Sequence, residues 1–338
     1  MNQMKAFIVK SYGQKEKLHL TDWPVPPVNE NDVLVQVHSA GVNLLDSLIR
    51  NGEFKLFLPY KPPFVNGHDV AGVVIKTGSK ITRFKAGDEV YARVSDHRIG
   101  TFAEYISISE KDVAFKPKNI SMEEAGSIPL VGLTSWQALV EIGKVKRGQK
   151  VFIQAGSGGV GTFAIQLAKH LGAYVATTTS SKNSDLVKSL GADLVIDYQT
   201  EDFETKLKDY DLVLHSKLDS KILEKSLRIL KSGGQLISLV GPPTPEFAKQ
   251  IGLPWYLKFI ISLLSFGARK KAKKLNVSFN FLFMRAEGKQ LGEITQLIED
   301  GIIKPVIDKV FPFEQTNEAL AYVESGRAKG KVVIKSNV

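Results

Sequence analysis

The segment from residue 151 to residue 161 constrains the fold of this chain more than any other. It reads Val-Phe-Ile-Gln-Ala-Gly-Ser-Gly-Gly-Val-Gly, and a helix-like stretch over residues 162–172 follows it directly. The apolar run predicts a strand, and the dense glycines predict a sharp turn between that strand and the helix. The sequence therefore predicts a strand, a tight turn and a helix, in that order.

The same turn predicts a binding site for a diphosphate. Glycines let the backbone approach a ligand closely, and the first N–H groups of a helix lack intrahelical partners and lie at its positive end. The pattern G-x-G-x-x-G at 156, 158 and 161 is weak alone, but here it has the strand and the helix that it requires. We expect the turn to bind a dinucleotide through Ser157, Gly158, Gly159, Val160 and Gly161. A glycine-rich loop without a ligand is the alternative.

The second strand of this region indicates which dinucleotide is bound. An Asp or Glu about 20 residues beyond the glycines usually receives the ribose hydroxyls of NAD. Here the strand at 174–179 runs into Ser180 and Lys182, and no acid appears before Asp185. Hydroxyls and a lysine favour a 2′-phosphate, so we predict NADPH rather than NADH, with Thr179 among the contacts. An ordinary polar turn that caps the next helix is compatible with this interpretation.

Composition favours two domains in a reducing compartment. A chain of 338 residues is too long for one ordinary core, and it contains no cysteine. The lack of cysteine excludes disulfides, thiolate-bound zinc and a cysteine nucleophile. The first residues lack the apolar core of a signal peptide and the character of a transit peptide, so we expect a cytoplasmic protein.

The net charge of +10 is partly local, because five basic residues lie within residues 269–274. A twelve-residue apolar stretch at 255–266 precedes them and is too short to span a bilayer. A helix of this kind is compatible with an anionic membrane surface or with nucleic acid. Packing of the helix on its own domain, with a solvated basic end, is the interpretation that we favour.

The chain divides by pattern into a β-rich part and an alternating part. Short β-branched segments at 5–10, 33–38, 70–76, 88–94 and 102–108 predict a barrel-like unit. Ser121 and Glu124 predict a capping box, and a further helix is expected at 130–142. We predict domains over residues 1–124 and 125–284, with residues 285–338 returning to the first domain.

Strands and helices alternate after residue 150. Strands are predicted at 151–154, 174–179, 194–197, 211–215, 235–240 and 277–284, and helices between them include 184–190, 201–208 and 219–231. Six strands with helical crossovers predict a doubly wound α/β fold with one parallel sheet. The last strand is long and aromatic and should lie at the sheet edge, so we expect a homodimer formed through residues 277–284.

Ordered segments along the whole chain resemble one family, the medium-chain dehydrogenase/reductase superfamily in its zinc-free branch of quinone oxidoreductase-like and alkenal/enone reductases. The resemblance implies a Rossmann domain and a GroES-like β-barrel catalytic domain. The segments that carry it begin at Ala40, Gly67, Gly87, Gly100, Gly132, Ala155 and Gly330. Zinc members have a cysteine near position 42, whereas this chain has Val42 and keeps only His68. We therefore expect His68 to pack or hydrogen-bond rather than bind a metal.

The resemblance also implies roles for individual residues. Catalytic roles fall to Asn43, Asp46 and Tyr60, although Asn43 and Asp46 are equally suited to cap a helix that starts near Leu44. Relatives often have a tyrosine where this chain has Phe54, and a phenylalanine cannot donate a proton. Tyr60 matches another tyrosine of the family and is therefore the better candidate for the proton donor, with solvent as the alternative. Cofactor contacts are implied for Asn43, Thr134, Tyr198, Leu239, Gly241, Phe283 and Lys331. His215 stands where relatives usually have an acid followed by a glycine, and we expect a cofactor contact for it from its position alone. His215 would lie at the carboxyl end of a strand, where open α/β sheets bind ligands.

The function that these expectations favour is NADPH-dependent reduction of a quinone or an α,β-unsaturated carbonyl compound without zinc. A 2-enoyl thioester reductase is the alternative within the same class, and the missing tyrosine at 54 counts against it. A nucleotide-regulated protein that binds RNA or a membrane surface is the alternative of another class.

Overall fold

The computed structural model describes residues 2–14, 16–55, 58 and 60–336. They form two compact units, a discontinuous unit (residues 1–133 and 285–338) and a second unit (residues 134–284). The division lies after Leu133, whereas we had expected it after residue 124. Contacts with the strands of the discontinuous unit explain the difference: Ser39 Oγ donates to Met122 O at 2.7 Å, and Leu130 N donates to Asp69 Oδ1 at 2.8 Å.

The discontinuous unit is rich in antiparallel sheet. Its strands are β1 (Gln3–Val9), β2 (His19–Pro24), β3 (Asp32–Val42), β4 (Phe64–Val65), β5 (Asp69–Thr77), β6 (Glu89–Arg93), β7 (Tyr105–Ser109) and β8 (Val113–Phe115). Its first helices are α1 (Leu44–Asn51), α2 (Met122–Gly126) and α3 (Pro129–Trp136), the last of which crosses the division and continues as a π-helix over Gln137–Ile142.

The second unit alternates strand and helix as predicted. Its strands are β9 (Lys150–Ile153), β10 (Tyr174–Thr179), β11 (Leu194–Asp197), β12 (Tyr210–His215), β13 (Leu230–Ser238) and β14 (Ser278–Phe281). Its helices are α4 (Gly159–His170), α5 (Ser184–Ser189), α6 (Phe203–Lys206), α7 (Ser220–Arg228), α8 (Pro245–Gln250) and α9 (Trp255–Lys274).

The carboxyl-terminal segment belongs to the discontinuous unit. It contains α10 (Gly288–Glu299), β15 (Ile307–Pro312), α11 (Thr316–Glu324) and β16 (Lys331–Lys335). β16 pairs antiparallel with β3 and extends a sheet of order β15-β16-β3-β5-β6-β8, with β7 also paired to β3. A second sheet has the order β2-β1-β4. Alternate residues of β3, among them Val33, Val35 and Val37, face the apolar core.

The sheet of the second unit is fully parallel and has the order β11-β10-β9-β12-β13-β14. This is the doubly wound Rossmann order, and it confirms the predicted fold class. We therefore call residues 134–284 the Rossmann unit. Successive strands are added on one side of β9 up to β11 and on its other side from β12 onward. A crevice therefore forms at the carboxyl ends of β9 and β12.

Two predicted elements of the Rossmann unit have different bounds in the structure. The helix expected at 219–231 ends at Arg228, because Tyr210 N already donates to Ile229 O at 2.9 Å and draws the chain into the sheet. The strand expected at 277–284 lies at the sheet edge, as predicted, but covers only Ser278–Phe281. Beyond it, Leu282 and Met284 are buried in the core.

Candidate cofactor site and a buried polar network

The glycine turn lies between β9 and α4, at the switch point of the sheet. Gly158 is the N-cap of α4 in an extended conformation, with φ −82° and ψ 173°. The first helical hydrogen bond in this turn runs from Thr162 N to Gly158 O at 2.9 Å. The N–H groups of Gly159, Val160 and Gly161 precede that bond and lie at the positive end of the helix dipole. They are the groups that the sequence predicts to bind an anion.

The glycines of the turn serve two different purposes. A Cβ atom on Gly161 would lie 2.4 Å from Ala155 O, and one on Gly156 would lie 2.1 Å from Thr177 Oγ1. These two positions need glycine so that the helix can pack against the strands. A Cβ on Gly158 would meet only Ala155 O, at 3.3 Å, so this side of the turn is open. An open glycine in front of helix N–H groups fits the diphosphate of a dinucleotide.

Polar side chains at the carboxyl ends of β10 and β11 lie next to this turn. Thr179 Oγ1 donates to Ser157 Oγ at 2.9 Å, and Tyr198 N donates to Thr179 O at 3.2 Å. Ser180 is half-buried, while Lys182 and Tyr198 are exposed. The structure thus brings these predicted contacts together at one edge of the sheet.

An acid at the same edge was not considered in the sequence analysis. Asp197 ends β11, and its carboxylate accepts hydrogen bonds from Ser181 N at 3.2 Å and from Gln199 N at 3.0 Å. The pairing of Thr179 with Asp197 in the parallel register brings it here. In the sequence, Asp197 is an acid at the end of the third strand of this unit, whereas the acid that contacts the ribose of NAD usually ends the second strand.

His215 ends β12 on the other side of the switch point and is buried. Burial lowers the pKa of its imidazole to about 4, so the ring is neutral at physiological pH. Its backbone carbonyl accepts a hydrogen bond from Leu239 N at 2.9 Å, and Gly241 follows with φ 88°. Thr134 is buried at the start of the Rossmann unit, and the half-buried ring of Phe283 packs on Phe247 at 5.3 Å.

A buried polar network occupies the discontinuous unit around Asp69. Its Oδ2 accepts from Asn43 Nδ2 at 3.0 Å and lies 3.4 Å from Lys331 Nζ. Lys331 Nζ also donates to Asn43 Oδ1. Burial raises the pKa of Asp69, and the ammonium group of Lys331 and the amide of Asn43 oppose that shift. Sequence reasoning named Asn43 and Lys331 but missed Asp69, whose signal was a charged residue at the start of an otherwise apolar strand.

Asp46 forms a second part of this network. Its Oδ2 accepts from Asn43 N at 2.7 Å, which caps the start of α1. Its Oδ1 accepts from His68 Nδ1 at 2.6 Å, and both side chains are fully buried. His68 therefore hydrogen-bonds, as expected. The backbone carbonyl of Asp46 accepts from Asn66 Nδ2 at 3.0 Å, so the helix start is tied to the loop before β5.

Tyr60 lies in a different environment from Asn43 and Asp46. Its hydroxyl donates to the backbone carbonyl of Asp96, and its ring lies 5.1 Å from the ring of Phe64. Burial raises the pKa of this hydroxyl well above its usual value. In this arrangement the Tyr60 hydroxyl is engaged with a backbone carbonyl and is less acidic than usual, and its role as proton donor stays a prediction.

Known proteins match the chain over nearly its whole length. The family description "Alcohol dehydrogenase GroES-like domain" matches residues 29–118, and "Zinc-binding dehydrogenase" matches residues 190–334. A 2-methylene-furan-3-one reductase of Solanum lycopersicum is 36% identical over 98% of this chain and 79% of its own length. A chloroplastic NADPH-dependent alkenal/one oxidoreductase of Arabidopsis thaliana is 35% identical with the same coverage.

The chain belongs to the medium-chain dehydrogenase/reductase superfamily, in its branch of quinone and alkenal/enone oxidoreductases. The solved quinone oxidoreductase of Coxiella burnetii supports this, with 30% identity, a TM-score of 0.84, and coverage of 98% of this chain and 99% of that one. The discontinuous unit of this reductase chain is thus the GroES-like part of the superfamily, and the Rossmann unit is its nucleotide-binding part.

One of the matched family descriptions mentions zinc, which makes the potential metal ligands of this reductase chain relevant. Among residues 2–14, 16–55, 58 and 60–336, no three His, Cys, Asp or Glu side chains are grouped to hold a metal ion. His68, the residue shared with zinc members, forms a hydrogen bond from Nδ1 to the carboxylate of Asp46. Its Nε2 is buried without a hydrogen-bond partner within those residues.

Proposed function

We propose that this protein is an NADPH-dependent oxidoreductase that reduces quinones or α,β-unsaturated carbonyl compounds by hydride transfer, without zinc. The observation that carries the proposal is the open side of Gly158 in front of the N–H groups of Gly159, Val160 and Gly161. The names of the tomato, Arabidopsis and Coxiella relatives support the acceptor class and the cofactor.

We assign the two ends of the cofactor to different groups of residues. The amides at the start of α4 would bind the diphosphate, and Ser180, Lys182 and Tyr198 would bind the 2′-phosphate through charge-assisted hydrogen bonds. Asn43, Thr134, Leu239, Gly241, Phe283 and Lys331 are assigned to the nicotinamide end on the family resemblance. When bound, the nicotinamide supplies a hydride to an acceptor that is already electrophilic.

The protein then contributes binding and orientation rather than a charged catalytic group. Asp46 would act by holding α1 and the Asn43 backbone in place, and not by proton transfer. We assign the proton that completes the reduction to solvent, because the Tyr60 hydroxyl donates to Asp96 O. A Tyr60→Phe variant should therefore keep most of its activity.

Two finer statements belong to the same proposal. We propose a homodimer through β14, because this strand lies at the edge of the sheet and an edge strand can pair with a second copy of itself. We also propose a cytoplasmic location, which suits a chain without cysteine. Light scattering of the purified protein tests the dimer, and the mass of a single chain would contradict it.

An acceptor panel tests the activity. Purified protein is mixed with NADPH and a small enone, a quinone or an enoyl-CoA thioester, in the presence of a chelator, and loss of NADPH absorbance is followed. Turnover of the enone or the quinone is the expected result. Turnover of the thioester alone would move the assignment to a thioester reductase, and no turnover with any acceptor would contradict the proposal.

A further inference from the structure

Helix α9 carries an apolar face that its own unit does not cover. Seven of its side chains, all between 48% and 80% exposed, are Trp255, Tyr256, Phe259, Ile260, Leu263, Leu264 and Phe266. The sequence favoured packing of this segment on its own domain; that holds for the opposite side of the helix, but these seven residues are left uncovered. Scattered apolar residues are common on protein surfaces, whereas a continuous patch of this kind marks an interaction site.

The apolar face is continuous around the helix. At about 100° per residue, the seven exposed side chains occupy roughly half of the circumference. The opposite side holds the buried residues Ile261, Ser265 and Ala272, which attach the helix to the Rossmann unit. The orientation of α9 is thus set by its buried side, and its apolar side faces away from the unit.

The same face becomes cationic toward the carboxyl end of the helix. Lys270, Lys271, Lys273 and Lys274 are exposed and lie on the same half of the circumference as the apolar residues. Residues 254–275 contain no Asp or Glu. Of these lysines, Lys271 forms an ion pair with Glu224 of α7, while Lys270 lies 5.7 Å from the ring centroid of Phe266.

We propose that α9 docks this protein on an anionic membrane surface. Trp and Tyr side chains favour the interface between lipid and water, Phe and Leu side chains favour the acyl boundary, and lysines favour anionic headgroups. None of the helices in the described ranges has the length and hydropathy needed to span a bilayer, so α9 would lie along the surface.

The division of α9 into an apolar half and a cationic half favours a bilayer over a second copy of the chain. Two copies paired in parallel along this face would place four lysines against four lysines. Two antiparallel copies would place the lysines of each against the apolar half of the other. A bilayer surface accommodates both halves at once, because its acyl boundary and its headgroups lie side by side.

Vesicle co-sedimentation tests the proposal. The full chain should bind vesicles of phosphatidylcholine with phosphatidylglycerol much more strongly than vesicles of phosphatidylcholine alone. The variant Phe259→Ser/Leu263→Ser should lose at least tenfold in binding to both. The variant Lys270→Gln/Lys273→Gln/Lys274→Gln should weaken binding to the anionic vesicles about 100-fold. A control with the same change of charge, Lys76→Gln/Lys118→Gln/Lys208→Gln, replaces exposed lysines elsewhere and should bind nearly as the wild type does.

A fluorescence measurement on the wild-type chain does not depend on the folding of these variants. The emission of exposed Trp255 should shift to shorter wavelength when anionic vesicles are added, and a Trp255→Phe variant should lose that shift. The inference is independent of the proposed reductase activity, since turnover of a small soluble acceptor should be unchanged in all of these variants.

Three results would overturn the proposal. The first is wild-type protein that stays in the supernatant with anionic vesicles. The second is unaltered vesicle binding by the Phe259→Ser/Leu263→Ser variant. The third is a fall in oligomer mass in that variant with no vesicle binding by the wild type, which would show that a second copy covers the face.

Discussion

Asp69 and Lys331 form a buried ion pair between β5 and β16, with Oδ2 and Nζ 3.4 Å apart. The carboxylate is satisfied on both oxygens, since Leu130 N donates to Oδ1 and Asn43 Nδ2 donates to Oδ2. Buried charges are tolerated only when paired and hydrogen-bonded in this way. The pair therefore joins the start of the discontinuous unit to its returning segment and fixes the amide of Asn43.

Removal of one partner should be much more costly than removal of both. We expect Lys331→Met to lower the free energy of unfolding by about 3–5 kcal/mol, because it leaves the buried carboxylate of Asp69 without its cation. The double variant Asp69→Asn/Lys331→Met should recover part of that loss. Urea unfolding measures both. Lys335→Met on the same strand removes a side chain that is 61% exposed and paired with the partly exposed Glu123, and should cost about 1 kcal/mol or less. Equal costs at the two lysines would contradict this account.

The contacts of Asp46 predict a second stability effect. Asp46→Ala removes the carboxylate that caps α1 and leaves Nδ1 of buried His68 without an acceptor. The cap and the unsatisfied donor together should cost about 2–4 kcal/mol. Asp22→Ala, which breaks an exposed pair with Lys5, should cost much less. A loss at Asp46 no larger than that at Asp22 would show that the network is not stabilising.

The open side of Gly158 predicts a variant that folds but does not bind the cofactor. Gly158→Ala has an allowed conformation, and its Cβ makes one tight contact, with Ala155 O at 3.3 Å, so the variant should fold with a modestly lower melting temperature. Its methyl group would occupy the space in front of the α4 N–H groups, and NADPH affinity in calorimetry should fall at least tenfold. Gly292→Ala in α10, which has open space around it, should bind NADPH normally and gain about 0.5–1 kcal/mol in stability. Normal NADPH binding by Gly158→Ala would remove the diphosphate from this turn.

Charge reversal at Lys182 tests the preference for NADPH. Because a 2′-phosphate is present only in NADPH, Lys182→Glu should weaken NADPH about 10- to 100-fold and change the affinity for NADH by much less. Lys188→Glu, an exposed lysine of α5, is the matched control and should leave both affinities nearly unchanged. Equal weakening of the two coenzymes by Lys182→Glu would reject the phosphate assignment.

The depressed pKa of His215 predicts a pH-dependent stability. The folded pKa of about 4 lies below the ordinary value of 6.5, so between these pH values the unfolded chain binds more protons than the folded one. The stabilisation is complete above pH 6.5 and decreases as the pH falls toward 4. Between pH 7 and pH 5 the wild type should lose about 2 kcal/mol more than His215→Gln, as measured by urea unfolding. His170→Gln changes an exposed imidazole of the same unit and should follow the wild type; a His215→Gln curve parallel to the wild type would refute the assignment.

Local patterns in the sequence were sufficient for the Rossmann sheet and its glycine turn. The run at 151–161 encodes a strand, a turn and a helix start within eleven residues, and the six alternating strands were found in the right order. Such features depend on neighbouring residues alone, because hydrophobic period and glycine conformation act over a few residues. Bounds were less accurate where tertiary packing competes, as at Arg228 and after Phe281.

Tertiary structure alone decided the partners of the polar residues. Asp69 meets Lys331 across 262 positions of the chain, and Asp46 meets His68 across 22, so no local pattern reports either contact. It also decided that the apolar segment at 255–266 is exposed, because periodicity shows that a helix has an apolar face but does not show what lies against it. The sequence by itself determined the fold class, the family and the location of the glycine turn. The buried network and the exposed apolar face of α9 depend on which distant segments pack together, and the spacing of residues along the chain does not show this.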